Sequence, residues 1–163
     1  MKIVAAVLLL AASLAVPGTS YADCGDPGQD PCTGPVPSVD QVMALMAELT
    51  DPDRPFADKN DAVTPAFTNE QAAKLDRELD YVRSNGVLPI NFIVTDIQPA
   101  PNNFAGATIA NNTAGFVVGI RAGSAPIVLV EQGGHWLVTR DTAIIRVFKL
   151  FTDSIPHGHP FAV

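Results

Sequence analysis

Basic side chains are scarce in this sequence. Ten Lys and Arg residues stand against 17 Asp and Glu residues, which gives a formal net charge of −7. Most of the excess lies between Asp23 and Asp61, a stretch with nine acidic residues in which Arg54 and Lys59 are the only basic ones. No basic patch is present that could neutralise phosphates, so nucleic acid and an anionic membrane surface are disfavoured as partners.

Recognisable catalytic motifs are also missing from the sequence. It contains no phosphate-binding loop, no dinucleotide fingerprint and no internal repeat. A nucleophilic triad is disfavoured because there is no Gly-x-Ser-x-Gly elbow and because His135 follows a hairpin loop. We therefore predict no cofactor and assign no catalytic residue from the motifs.

The longest apolar run, residues 3–16, is too short to span a membrane comfortably. It follows Lys2 and precedes Ser20 and Ala22, which place small residues at the −3 and −1 positions of a cleavage site. We predict a secretory signal peptide over residues 1–22 and a secreted protein without a stable membrane anchor. A retained anchor is the alternative. A lipid anchor fits less well, because Asp23 rather than a small residue precedes Cys24.

Cys24 and Cys32 are the only cysteines. In an oxidising compartment they are expected to pair and to staple the Pro- and Gly-rich lead-in at residues 23–37. A strain-free loop of this size contributes roughly 2–3 kcal/mol. A zinc site and a redox pair are the alternatives, but no further ligand lies close in sequence and seven residues separate the thiols.

Two long helices are predicted from their capping signals. Ser38 and Gln41 form a capping box for the first, which Asp51-Pro52 ends, and Thr68 and Gln71 form one for the second, which ends near Gly86. A helical turn at residues 56–60 and a short extended piece at residues 62–67 are expected between them. The second helix is expected to carry Glu70, Lys74 and Glu78 on a solvated side.

Strands are predicted over residues 88–98 and 104–110, while residues 111–123 are ambiguous because glycines interrupt them. Gly133-Gly134 then predicts a tight hairpin, which would place Gln132 opposite His135, Glu131 opposite Trp136, Leu129 opposite Val138 and Ile127 opposite Arg140. We expect Trp136 to be a core residue packed against the long helix.

Both faces of this hairpin are apolar near the middle, so we expect something to cover the second face. One candidate is a C-terminal helix over residues 142–151, capped by Asp141, which would lay Ile145, Phe148 and Phe151 on that face. The other is a second copy of the chain, forming a homodimer through the sheet. Both can act together.

Three stretches carry a resemblance to a known family: residues 49–60 (LTDPDRPFADKN), 88–99 (LPINFIVTDIQP) and 130–136 (VEQGGHW). Their sequences, order and spacing resemble the mycobacterial low-molecular-weight secreted antigens from about Ser38 to Phe151. The resemblance implies an α+β domain over residues 38–151 with the cone-shaped fold of nuclear transport factor 2, in which N-terminal helices pack on a curved antiparallel sheet. It implies no catalytic residue, because no reaction is assigned to the family. The cysteine lead-in, residues 111–123 and the tail at residues 152–163 depart from it.

Two further groups of side chains are candidate sites. His157 and His159 could bind a transition metal, but no third ligand accompanies them and we predict no metal site. Asp96 or Glu131 could act as an acid–base carboxylate in an apolar cone. We predict a non-enzymatic secreted module that binds a small apolar ligand or serves the cell envelope, with an isomerase- or dehydratase-type enzyme as the alternative.

Overall fold

The computed structural model describes Cys24 and residues 30–111 and 123–149. The predicted signal peptide, residues 112–122 of the ambiguous segment and the tail with His157 and His159 lie outside the described residues. Cys24 and Cys32 form a disulfide in the structure. In the described part of the chain, no helix is both long enough and apolar enough to cross a membrane.

Both long helices form where their capping boxes predict them. Helix α1 spans Val39–Leu49 and helix α2 spans Asn69–Ser84. The Thr68 hydroxyl accepts from the Gln71 backbone N–H at 3.2 Å, and the Gln71 amide oxygen accepts from the Thr68 N–H at 3.0 Å. Because Gly86 has a φ of +70°, it ends α2 without the steric cost that a Cβ would bring.

Within the described residues, five strands form one mixed sheet, so the predicted α+β class is confirmed while the expectation of a purely antiparallel sheet is wrong. The strands are β1 (Val63–Thr64), β2 (Phe92–Ala100), β3 (Phe104–Asn111), β4 (Ser124–Gln132) and β5 (His135–Thr139). Their order is β1-β5-β4-β3-β2. Strand β1 pairs with β5 in parallel, and this pairing joins parts of the chain that are distant in sequence.

The β4–β5 hairpin has the predicted register. Gln132 pairs with His135, Glu131 with Trp136 and Leu129 with Val138. Gly133 and Gly134 have φ values of +61° and +84°, as a tight turn of this length requires. The expected pairing of Ile127 with Arg140 is wrong, because β5 ends at Thr139 and Arg140 begins the next helix.

Strand β2 differs from its predicted bounds of residues 88–98. It begins at Phe92 and continues through Pro99 to Ala100. Proline lacks the N–H that a central strand needs, but β2 lies at the edge of the sheet and can accommodate it. The register shifts between Thr95 and Gln98, where Asp96 has a φ of +52°, so the predicted strand carries a bulge.

The C-terminal helix begins earlier and is wound more widely than predicted. Its N-cap is Thr139 rather than Asp141, and a short α-helical turn, α3 (Arg140–Thr142), leads into a π-helical segment at Ala143–Phe148. Bonds from residue i to i+5 place Ala143 and Phe148 on the same side. Both are buried in the main core, where the Phe148 ring lies 5.0 Å from that of Phe56.

The helix therefore does not lay its apolar residues over the outer sheet face, and that prediction is wrong for Ile145 and Phe148. Ile145 is 56% exposed, Phe148 belongs to the core on the other side, and Phe151 lies outside the described residues. On the outer face, Ile93 and Val128 are 46% and 43% exposed. Trp136, by contrast, is buried in the core as predicted.

Candidate functional site

An open cleft lies between the end of α1 and the connection from α2 to β2. It has a volume of about 720 Å³, within the range typical of small-molecule sites. We call it the apolar cleft. Its lining residues are Ala44, Ala47, Glu48, Thr50, Asp51, Pro52, Arg83, Leu88, Pro89 and Ile90.

Small and apolar side chains form the walls of the apolar cleft. Ala44 and Ala47 are exposed on the side of α1 that faces away from the core, so the helix backbone lies close to the cleft. Leu88 is half-buried and Ile90 is buried against the core, which anchors the opposite wall. Pro89 between them brings no N–H donor, so this wall offers hydrocarbon rather than hydrogen bonds.

Of the charged groups that line this cleft, Arg83 and Glu48 are engaged in ion pairs, and the Asp51 carboxylate accepts the Asp53 N–H at 2.9 Å. Arg83 contacts Asp53 at 3.0 Å, and Arg54 contacts Glu48. Arg54 also donates to both carboxylate oxygens of Asp61 at 3.0 and 3.3 Å. The hydrogen bond to Asp61, reinforced by the charge of Glu48, raises the pKa of Arg54 above its ordinary value.

Lys59 holds the end of α1 from inside the protein. Its side chain is fully buried, and the ammonium donates to the Leu49 carbonyl at 3.2 Å and to the Asp51 carbonyl at 2.7 Å. It also lies 4.0 Å from the centre of the Phe56 ring. Burial lowers its pKa from 10.5 to about 8, against the opposing charges of Asp51 and Glu48. Lys59 therefore fixes one wall of the cleft without lining it.

A second, smaller cleft of about 300 Å³ lies on the other side of α1. We call it the polar cleft. It is lined by Gln41, Ala44, Leu45, Glu48, Asp61, Ala62, Gly134, His135 and Trp136. The hairpin turn and β5 form one wall and α1 forms the other. Ala44 and Glu48 line both clefts, so the two clefts adjoin at this part of α1.

The two carboxylates predicted as enzyme candidates occupy structural positions. Asp96 is exposed in the β2 bulge, and the Thr95 hydroxyl donates to it at 3.0 Å. Glu131 accepts the Gly134 N–H at 2.6 Å and thereby closes the hairpin turn. Neither lines the apolar or the polar cleft, so the interpretation of either as an acid–base group in a cone is not supported.

Glu78 is a buried carboxylate that the sequence did not reveal. It is only 9% exposed, so its predicted place on a solvated helix side is wrong. The i,i+4 spacing with Glu70 and Lys74 suggested a charged stripe, but Glu78 also follows Leu75 by three residues, and this spacing belongs to the buried side. That spacing was the available signal. No group of three or more His, Cys, Asp or Glu residues that could hold a metal is found among the described residues.

Comparison with known proteins identifies the family of the chain. Residues 35–147 match the family model described as low molecular weight antigen MTB12, C-terminal domain. The chain belongs to this family. Low molecular weight antigens MTB12 of Mycobacterium bovis and Mycobacterium tuberculosis are each 33% identical over 119 residues, which is 71% of this chain and 67% of theirs. The homologue in Mycobacterium leprae is 32% identical over 83 residues, half of each chain. The expected family is therefore confirmed.

Proposed function

We propose that this member of the MTB12 family is an exported, non-enzymatic binding protein whose ligand is a small apolar molecule held in the apolar cleft. The observation that carries the proposal is the cleft itself, about 720 Å³ of space with hydrocarbon walls between α1 and the α2–β2 connection. The antigen name of the relatives and the predicted leader at residues 1–22 support the exported location in this proposal.

The ion pairs at the rim favour an apolar ligand over a strongly charged one inside this cleft. Arg83 and Glu48 each have a protein partner, so a ligand charge would have to compete with an existing pair. Leu88 and Ile90, in contrast, gain by losing contact with water when an apolar group covers them. A cone of the nuclear-transport-factor-2 type remains part of the proposal, and helices packed on one face of an open sheet support it.

Binding of the uncharged dye Nile red tests this function. We expect saturable binding by the intact chain and about tenfold weaker binding by Ala47→Phe, because the new ring fills the cleft. Ala73→Phe is the matched control, since Ala73 is an exposed alanine on α2 that does not line the cleft. Equal affinity of the two variants, or no binding at all, would contradict the proposal.

An acid–base enzyme of the isomerase or dehydratase type is the second candidate; the burial of Glu78 is the observation that favours it, although Glu78 lines neither cleft. The two candidates differ in what happens to a bound ligand. A binding protein returns it unchanged, whereas an enzyme converts it and Glu78→Gln stops the conversion. Native mass spectrometry of the exported protein, followed by analysis of the ligand after incubation, distinguishes them.

A further inference from the structure

The apolar and polar clefts are neighbours on α1, with Ala44 and Glu48 common to both. Resting on the proposed apolar-ligand function, we propose that they act as one groove for a single-chain amphiphile with a cationic head group. The alkyl chain lies in the apolar cleft, and the head group crosses α1 at Ala44 into the polar cleft, where it meets Asp61 and Trp136.

The part of α1 between the two clefts, which we call the crest, is low because the side chain of Ala44 is small. Gln41, Ala44 and Glu48 follow one another along the exposed side of α1, with Ala44 and Glu48 one turn apart, about 6 Å along the axis. At the crossing point Ala44 presents only a methyl group, and it is exposed. A ligand can therefore pass over the helix beside Ala44 without moving a core residue.

The polar cleft has the groups that recognise a cation. Among the described residues, Glu48 and Asp61 share the guanidinium of Arg54, so these three side chains together carry a net charge of −1. The side chain of Asp61 is 68% exposed and therefore accessible to a ligand. Trp136, which is mostly buried in the core, also lines this cleft, and tryptophan is the aromatic side chain that attracts ammonium groups most strongly.

The charge of the surrounding chain points to the same ligand class. Between Asp40 and Asp61 there are six acidic residues, and Arg54 and Lys59 are the only basic ones. Lys59 is buried and donates its hydrogen bonds to backbone carbonyls, so it offers nothing to a ligand head group. An anionic head group would be repelled from this surface, whereas a cationic one would be attracted.

Trp136 makes the proposal directly measurable because it is the only tryptophan in the chain. We would titrate the full chain with dodecyltrimethylammonium and with dodecanoate, both below their micelle concentrations, and follow Trp136 fluorescence together with calorimetry. We expect the cationic amphiphile to change the emission and to bind about tenfold more tightly than the anionic one. Tetramethylammonium, which lacks the chain, should bind far more weakly.

Two variants test the two parts of the groove. Asp61→Asn should remove most of the preference for the cationic head group, and Ala44→Leu should abolish the Trp136 response by raising the crest. Ala73→Leu is the control for the alanine change, and circular dichroism verifies folding. The inference is overturned if both amphiphiles bind equally and leave Trp136 emission unchanged; the apolar-cleft function then survives. If neither the amphiphiles nor Nile red bind, the proposed function fails as well.

Discussion

Lys59 shows how a single side chain organises the region around the clefts. It ties the last carbonyl of α1 to the following loop and lies over Phe56, which packs against Phe67 and Phe148 in the core. The sequence did not predict this role. A lysine in an acidic, proline-rich stretch normally indicates a solvated surface, and its burial depends on carbonyl groups that only the folded chain brings to it.

The lowered pKa of Lys59 predicts how stability changes with pH. Between about 8 and 10.5 the unfolded chain holds a proton on Lys59 that the folded chain has lost, so folding is favoured increasingly as the pH rises through this window. We expect the gain in the free energy of unfolding to be on the order of 2–3 kcal/mol. This gain in stability should be complete above the pKa that Lys59 has in the unfolded chain, 10.5, and absent below its pKa in the folded chain, about 8.

Urea unfolding of the intact chain and of Lys59→Met from pH 7.5 to 10.5 measures this gain. The variant keeps the other titrating groups, so the difference between the two proteins isolates Lys59. If the stability of the intact chain relative to Lys59→Met instead falls as the pH rises, the carbonyls and the Phe56 ring raise the pKa of Lys59.

Trp136 predicts a second effect at the residue scale. It is 9% exposed and belongs to the main core, so Trp136→Ala should lower the free energy of unfolding by about 3–5 kcal/mol. Val128→Ala, on the exposed outer face, should cost less than about 1 kcal/mol. Denaturant unfolding compares them, and similar losses for both variants would mean that the core assignment of Trp136 is mistaken.

At the scale of elements, short sequence signals predicted the features that depend on neighbouring residues, namely the helix starts and the hairpin register. Ser38 and Thr68 marked the starts of α1 and α2, and Gly133-Gly134 set the β4–β5 register. What could not be predicted depends on distant partners. Strand β1 has two residues and exists only because it pairs with β5, and the apolar cleft combines α1 with residues 88–90, which no sequence pattern connects. Ala44 and Ala47, which the structure places on the exposed side of α1, were only a weak sequence signal of the apolar cleft.

The capping box of α2 gives a prediction at this scale. Thr68→Ala removes the acceptor for the Gln71 N–H and should destabilise the protein by about 1 kcal/mol. Thr68→Ser keeps the hydroxyl and should cost at most a few tenths of that amount. Thermal and urea unfolding of both variants provide the test, and an equal loss from each would attribute the effect to the lost methyl group instead of the cap.

At the scale of the whole molecule, the outer sheet face supports the homodimer expected from the sequence as a proposal. Ile93 and Val128 are exposed there, whereas Val130 is buried with Phe104 and Leu137 paired on either side. We expect sedimentation at micromolar concentration to show a dimer that Val128→Lys dissociates. Val39→Lys is the matched control, because Val39 is 49% exposed on α1. A chain that remains monomeric throughout would contradict the proposal.

The two outermost strands of the described sheet determine whether copies of the chain can pair with each other edge to edge. An open sheet can recruit a neighbouring chain along an unpaired strand and grow into a fibre. Here one border is the two-residue β1, too short to template a partner, and the other is β2, where Pro99 withholds a donor and the Asp96 bulge breaks the ladder. Backbone pairing with a neighbouring chain is therefore disfavoured at both borders of the sheet that the described residues form.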